Sequence, residues 1–365
     1  MTKVSPFKRL GISENPIVLA PLAGVSDHPF RRICTRHGAD LTYVEMISAT
    51  AMIYESRRTY NMLKRHEEEA VLGVQITGRS AEDVGKASEI LHKMPFDTID
   101  INMGCPVKKV VKTGCGSAIL KDPERVFQTV KALRDATDKV ISAKIRIGWD
   151  QQSINGIEVS QAIEEAGADF MTVHGRTRND DYSKPVDLEY IARIKEAVSI
   201  PVIGNGNLFS SFDADYMKKT TKVDGLMVSR GALGNPWIFN DIKKVQTSVS
   251  LEDWVSTVSD HLRWQEAEYG NVGAGAVCMR KHLLWYAKGW PGVKVLREKM
   301  NVSESLQAAL DLVHQFADHL KEKGIDRRFD VTNSDTETRF VWDPKYDMDR
   351  KLDRGVGDDG LIVSE

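Results

Sequence analysis

The chain has 365 residues, 41% hydrophobic and 28% charged, with 50 Lys and Arg against 52 Asp and Glu, a formal net charge of -2. This is a globular composition, not a disordered, collagenous or disulfide-stapled one, and no apolar run approaches the ~20 residues that span a bilayer. The first residues, MTKVSPFKRLGISE, lack the apolar stretch of a secretory signal, and Cys34, Cys105, Cys115 and Cys278 form no C-x-x-C pair, so a cytoplasmic chain with reduced thiols and no metal is expected.

In chain order, short apolar and β-branched runs recur at 17–20, 41–45, 71–76, 98–102, 140–147, 170–174, 201–204 and 225–229. Helix-period stretches lie between most of them, including 80–93, 123–136, 157–166 and 187–198. Eight such units predict a parallel (β/α)8 TIM barrel over residues 1–240. An open doubly wound sheet would carry G-x-G-x-x-G after its first strand, where this chain reads APLAGVSD. Pro236 then opens a stretch whose helical patterns at 251–269, 274–287 and 302–323 predict an all-α helical domain over 241–324. Residues 325–365 form a polar acidic tail, either disordered or wrapping the body. Its Asp347, Asp349 and Asp353 fail the EF-hand pattern, because Lys351 occupies the next ligand position.

The near-zero net charge hides an uneven distribution. The barrel segment carries +2, the helical segment zero and the tail -4. Within the helical segment, residues 277–299 hold Arg280, Lys281, Lys288, Lys294, Arg297 and Lys299 against Glu298, with Trp285, Tyr286 and Trp290 interleaved. Basic side chains among aromatics suit a phosphate backbone with exposed bases. The plainer alternative is a helix with a solvated basic face and aromatic core anchors.

Barrel enzymes place their chemistry at the C-terminal ends of the strands. There this sequence has Pro21, Leu22 and Ala23, Glu45 and Met46, Gln75, Asn102, Lys144 and Arg146, His174, Asn205, and Arg230 with Gly231. A hydrophobic core does not ask for polar groups at so many equivalent positions. Cys105, between Gly104 and Pro106 just past a strand end, belongs to a loop over the mouth. A thiol of ordinary pKa near 8.5 is mostly protonated at neutral pH and can act as acid or nucleophile. The loops after the last two strands, Gly204-Asn205-Gly206-Asn207 and Arg230-Gly231-Ala232-Leu233-Gly234, have the glycines and the charge of a phosphate cradle.

The strings APLAGVSDHPFR, VQITG, DINMGCP followed by KKVVKTGCGSAIL, AKIRIGW, VHGRTR, PVIGNGN and SRGALGNPWIF resemble, in order, the tRNA-dihydrouridine synthases, most of all the bacterial subgroup B. The resemblance covers roughly residues 15–320. It implies a flavoprotein oxidoreductase of tRNA processing, an FMN-binding barrel with a helical tRNA-binding domain that reduces uridines to 5,6-dihydrouridine with NADPH. By the same resemblance Cys105 is the acid that protonates uracil C5, Asn102 holds the uracil edge, and Arg146 and Tyr182 lie near the substrate uridine. Lys144, Gln75, His174 and the Pro21–Ala23 backbone surround the flavin, and Asn205, Gly206, Asn207, Arg230 and Gly231 bind FMN. Arg280, Lys281, Lys288, Lys294 and Arg297 would meet tRNA, and a monomer is expected. The chain departs from the pattern at Cys115, at Asn207 in place of an acidic residue, at Ser229 in place of glycine, and in its tail. Two other readings stay open: a flavin enzyme on a free pyrimidine, similar to the dihydroorotate dehydrogenases, and a tRNA-binding protein without catalysis.

Overall fold

In a computed structural model, which describes residues 4–327, the chain forms a nine-stranded parallel sheet closed into a barrel and followed by a helical region. The strands are β1 (Ile17–Leu19), β2 (Thr42–Tyr43), β3 (Ile47–Ser48), β4 (Leu72–Thr77), β5 (Thr98–Met103), β6 (Val140–Arg146), β7 (Phe170–His174), β8 (Val202–Asn205) and β9 (Gly225–Val228). Their order is β1-β9-β8-β7-β6-β5-β4-β2, and the Leu19 N–H closes the ring on the Leu41 carbonyl at 2.9 Å. Each of the eight expected strand positions is filled. The second is divided, because β2 and β3 both pair with β4 while Glu45 and Met46 leave the ladder between them. The expected single strand over 41–45 is therefore two short pieces.

Strands buried on both faces read as continuous apolar runs, and every residue of β4 and β5 is buried. The surrounding helices start where a side-chain acceptor meets the free amides of the first turn. Asp27 caps His28–Arg36, Ser80 caps Ala81–His92, Asp122 caps Pro123–Asp135 and Asp187 caps Leu188–Ala197.

Past the barrel, helices Leu251–Tyr269, Ala274–Tyr286, Val293–Asn301 and Leu306–Glu322 enclose a second core around Trp254, Met279, Leu283, Trp290 and Phe316. The sequence pattern missed Val293–Asn301 as a helix of its own. Ser250 and Asp253 form a reciprocal capping box at the start of Leu251–Tyr269, and the Trp254 indole donates to the Tyr286 carbonyl at 2.8 Å. Trp285, Tyr286 and Trp290 are only 5%, 0% and 3% exposed. They are core anchors, so the plainer alternative describes these three aromatics.

The helical region is seated on the barrel. Arg32 and Arg36 lay their guanidinium groups over the Trp264 ring at 3.7 and 4.3 Å, and Arg36 pairs with Asp260 at 2.6 Å. At Gly234, with φ +68°, an added Cβ would lie 2.2 Å from the Trp285 backbone carbon, so two backbones meet there with no room between them. Ile325 packs on the helical core, and the Leu251 N–H donates to the Asp326 carbonyl at 2.7 Å. Nearly all of the expected acidic tail, residues 328–365, lies outside the described residues.

Candidate active site

The C-terminal strand ends open into one cleft. It is lined by Pro21, Leu22 and Ala23 after β1, Met46, Gln75 on β4, Asn102, Gly104 and Cys105 at β5, Lys144 and Arg146 on β6, and His174 on β7. Asn205, Gly206, Asn207 and Phe209 follow from β8, Ser229, Arg230 and Gly231 from β9, and Tyr182 from the loop after β7. All fifteen residues expected to serve catalysis, substrate or cofactor line this cleft. Parallel register explains the convergence: Asn102 pairs with Lys144, Arg146 with His174, and His174 with Asn205.

A chain of side chains runs beneath the cysteine loop. Ser142 Oγ donates to Asp100 Oδ1 at 2.6 Å, Gln75 Nε2 to Asp100 Oδ2 at 2.7 Å, and Asn102 Nδ2 to Gln75 Oε1 at 2.8 Å. Asn102 Oδ1 then accepts the backbone N–H groups of Gly104 at 3.2 Å and Cys105 at 2.9 Å. On the other side, the Cys105 carbonyl accepts from the Ser117 N–H at 3.1 Å and the Ser117 hydroxyl at 2.8 Å. The backbone of Cys105 is thus held from both sides, and its half-exposed side chain, in no disulfide, belongs to the cleft wall. The Asn102 amide oxygen is committed to this loop, leaving one N–H for a ligand. Cys115 is a buried free thiol in the turn before Gly116.

The far side of the cleft is cationic. Lys144 Nζ donates to Asn205 Oδ1 at 3.1 Å, and Asn205 Nδ2 donates to the Met227 carbonyl at 2.6 Å and to Ser229 Oγ at 3.1 Å. Ser229, where glycine was expected, therefore helps fix the Asn205 amide. Asn207 Oδ1 accepts from Arg176 at 3.1 Å and Arg230 at 3.4 Å, so a neutral amide stands between two guanidinium groups where an acidic residue was expected. Arg230 stacks on the Tyr182 ring at 3.9 Å. Burial drives the His174 imidazole well below its ordinary pKa, and the charges of Arg146, Lys144, Arg176 and Arg230 push the same way. His174 is accordingly neutral at pH 7. Burial likewise raises Asp100 to about 6 against its hydrogen bonds from Ser142 and Gln75.

Arg176 and Asp100 escaped the sequence reading. Arg176, 1% exposed, donates to the carbonyls of Tyr182 and Lys184, holding the loop that carries Tyr182. Its signal was a second basic residue just past the His174 strand end. Asp100 stands two residues before Asn102 on the same face of β5, a parity that marks it as inward-facing.

The basic residues of the helical region are not equivalent. Arg280 donates twice to the Ser303 carbonyl, at 3.1 and 2.8 Å, and the Lys281 ammonium donates to the Gly24 carbonyl. Both bonds tie parts of the fold together. Lys294 is exposed, while Lys288 and Arg297 are half-buried.

The family model described as dihydrouridine synthase (Dus) matches residues 18–322. The tRNA-dihydrouridine synthase B of Pseudomonas putida is 38% identical over 309 residues, covering 83% of this chain and 91% of that protein. Its counterpart in Pasteurella multocida is 36% identical over 294 residues, covering 79% and 88%, and that of Vibrio vulnificus 33% identical over 313 residues, covering 84% and 97%. The chain belongs to the dihydrouridine synthase family.

Proposed function

We propose that the protein is an FMN-dependent tRNA-dihydrouridine synthase that uses NADPH as reductant. The observation that carries this is the cleft itself, where a backbone-pinned thiol shares one mouth with a cationic wall in a chain whose relatives bear that name. The residues present fit the flavin. Gly206 and Gly231 line the cleft where the two loops pack tightly, since a Cβ on Gly231 would lie 2.0 Å from the Leu208 carbonyl oxygen and one on Gly206 3.0 Å from the His174 ring. Arg230 and the amides of those loops suit the phosphate, Gln75 and Lys144 the polar edge of the ring system, and the Pro21–Ala23 backbone one of its faces.

Bound there and reduced, FMN supplies a hydride for uracil C6. Cys105 gives its proton to C5, and its fixed backbone sets the thiol's position before the uridine arrives. Lys144 places a positive charge where negative charge collects, and neutral His174 adds a hydrogen-bonding ring without competing for a proton. Arg146, whose guanidinium donates to the Thr177 carbonyl at 2.6 Å, and Tyr182 border the substrate side. The unit of 1–240 is read as catalytic and that of 241–324 as tRNA-binding.

The test uses transcribed tRNA, NADPH and dihydrouridine measured by mass spectrometry. The wild-type protein is expected to be yellow and active on tRNA but not on free uracil or orotate. Cys105→Ala keeps NADPH-driven bleaching of the flavin and loses dihydrouridine formation by on the order of 10²-fold or more. Full activity in that variant refutes the cysteine as acid. A colourless protein that takes up no FMN refutes the enzyme.

A further inference from the structure

A second polar cluster lies outside the cleft lining, where the first barrel helix meets the helical region. One ligating atom from each of Asp27, His261 and His282 lies within 4.8 Å of the other two. The histidines are 0% and 1% exposed, and His261 Nε2 and His282 Nδ1 have no hydrogen-bond partner among the described residues. Buried polar nitrogens without partners are costly, and these two belong to rings that come close to one carboxylate. We propose that Asp27, His261 and His282 bind a divalent cation of the zinc type that joins the barrel to the helical region.

The chemistry favours nitrogen-preferring metals over magnesium or calcium, which take oxygen sets. His261 Nδ1 is 3.0 Å from the Tyr286 hydroxyl, the outer contact that orients a ligating imidazole and leaves Nε2 for the metal. Asp27 uses Oδ1 to cap the His28–Arg36 helix through the Phe30 N–H at 3.2 Å. Metal–ligand bonds of about 2.0–2.2 Å require the three groups to draw together only modestly. Gln265 lies one turn beyond His261 on the same helix face, wholly buried, with neither amide atom partnered among the described residues.

The full chain, stripped with a chelator and dialysed, is titrated with zinc(II) and separately with magnesium(II). Zinc binds one per chain and raises Tm by about 5 °C at a hundredfold excess over Kd, whereas magnesium does neither. Asp27→Asn, which retains a cap oxygen, and His282→Gln, each checked for folding by circular dichroism, lose the bound zinc and the Tm rise together. A wild-type protein that binds no zinc, with water alone between the groups, overturns the proposal. So does zinc binding that survives in both folded variants.

Discussion

Burial lowers the Lys144 ammonium to about 8, and Arg146 presses it the same way while Asp100 and Cys105 hold it up. Because the folded value lies below the ordinary 10.5, the unfolded chain binds the extra proton between pH 8 and 10.5. This group therefore adds stability to the ligand-free protein as pH rises through that window. Affinity for an anionic ligand has the opposite sign. It is full below pH 8 and falls as the ammonium is lost above it. FMN retention followed by fluorescence should show that fall in the wild type, whereas Lys144→Met should bind weakly at every pH without it. Lys144, Gln75, Asn102 and His174 were legible because polar residues at the ends of apolar strands have no place in a core. Asp100 was not, since one acid inside DINMGCP does not show that Ser142 and Gln75 would satisfy it. Nor does spacing reveal that the Asn102 oxygen is taken by the cysteine loop, because that bond depends on how the chain turns after β5.

The eight-fold alternation was visible because buried parallel strands are short apolar runs bounded by glycine, proline and polar residues. The division of the second strand was hidden. The run from Leu41 to Glu45 looks continuous, yet Met46 turns to the cleft and the Glu45 carboxylate accepts the Gly24 N–H. The 3-10 turn Arg230–Ala232 depends on Gly231, whose missing side chain lets the Leu208 carbonyl approach. In Gly231→Ala the β8 and β9 loops must separate. We expect a stability loss of about 2–3 kcal/mol in urea unfolding and release of flavin at lower denaturant than the wild type. Retention of both would mean that the two loops are more compliant than their contact shows. In the helical region, the periodicity of residues 274–287 gave the helix but could not tell a stacking platform from a core face. The structure turns Trp285, Tyr286 and Trp290 inward.

Across the whole molecule, two cores meet at a junction that carries guanidinium–indole stacking, the Lys281 bond to Gly24 and the backbone contact at Gly234. The basic run divides accordingly into residues that hold this architecture and residues that can meet a polyanion. Replacement of Lys294 and Arg297 by Ala should flatten the slope of log K for tRNA against log salt by about 0.7–0.9 per lost phosphate contact, with Tm nearly unchanged. Arg280→Ala should instead lower Tm, because the Ser303 carbonyl loses two donors. An equal change of salt slope in both proteins would remove the distinction. The -4 charge of residues 325–365 invites a truncation that tightens tRNA binding, and the cut belongs after Arg327, since Ile325 and Asp326 are built into the helical core. The contact at Gly234 has a consequence for how an RNA would be measured. With backbone against backbone and no side chain to compress, the barrel and the helical region cannot be drawn closer at Gly234 without moving main chain. Under the proposed function, an RNA held on the helical region would then meet the cleft at a set nucleotide, and a change of target position would require re-cutting the joint, not repainting the surface.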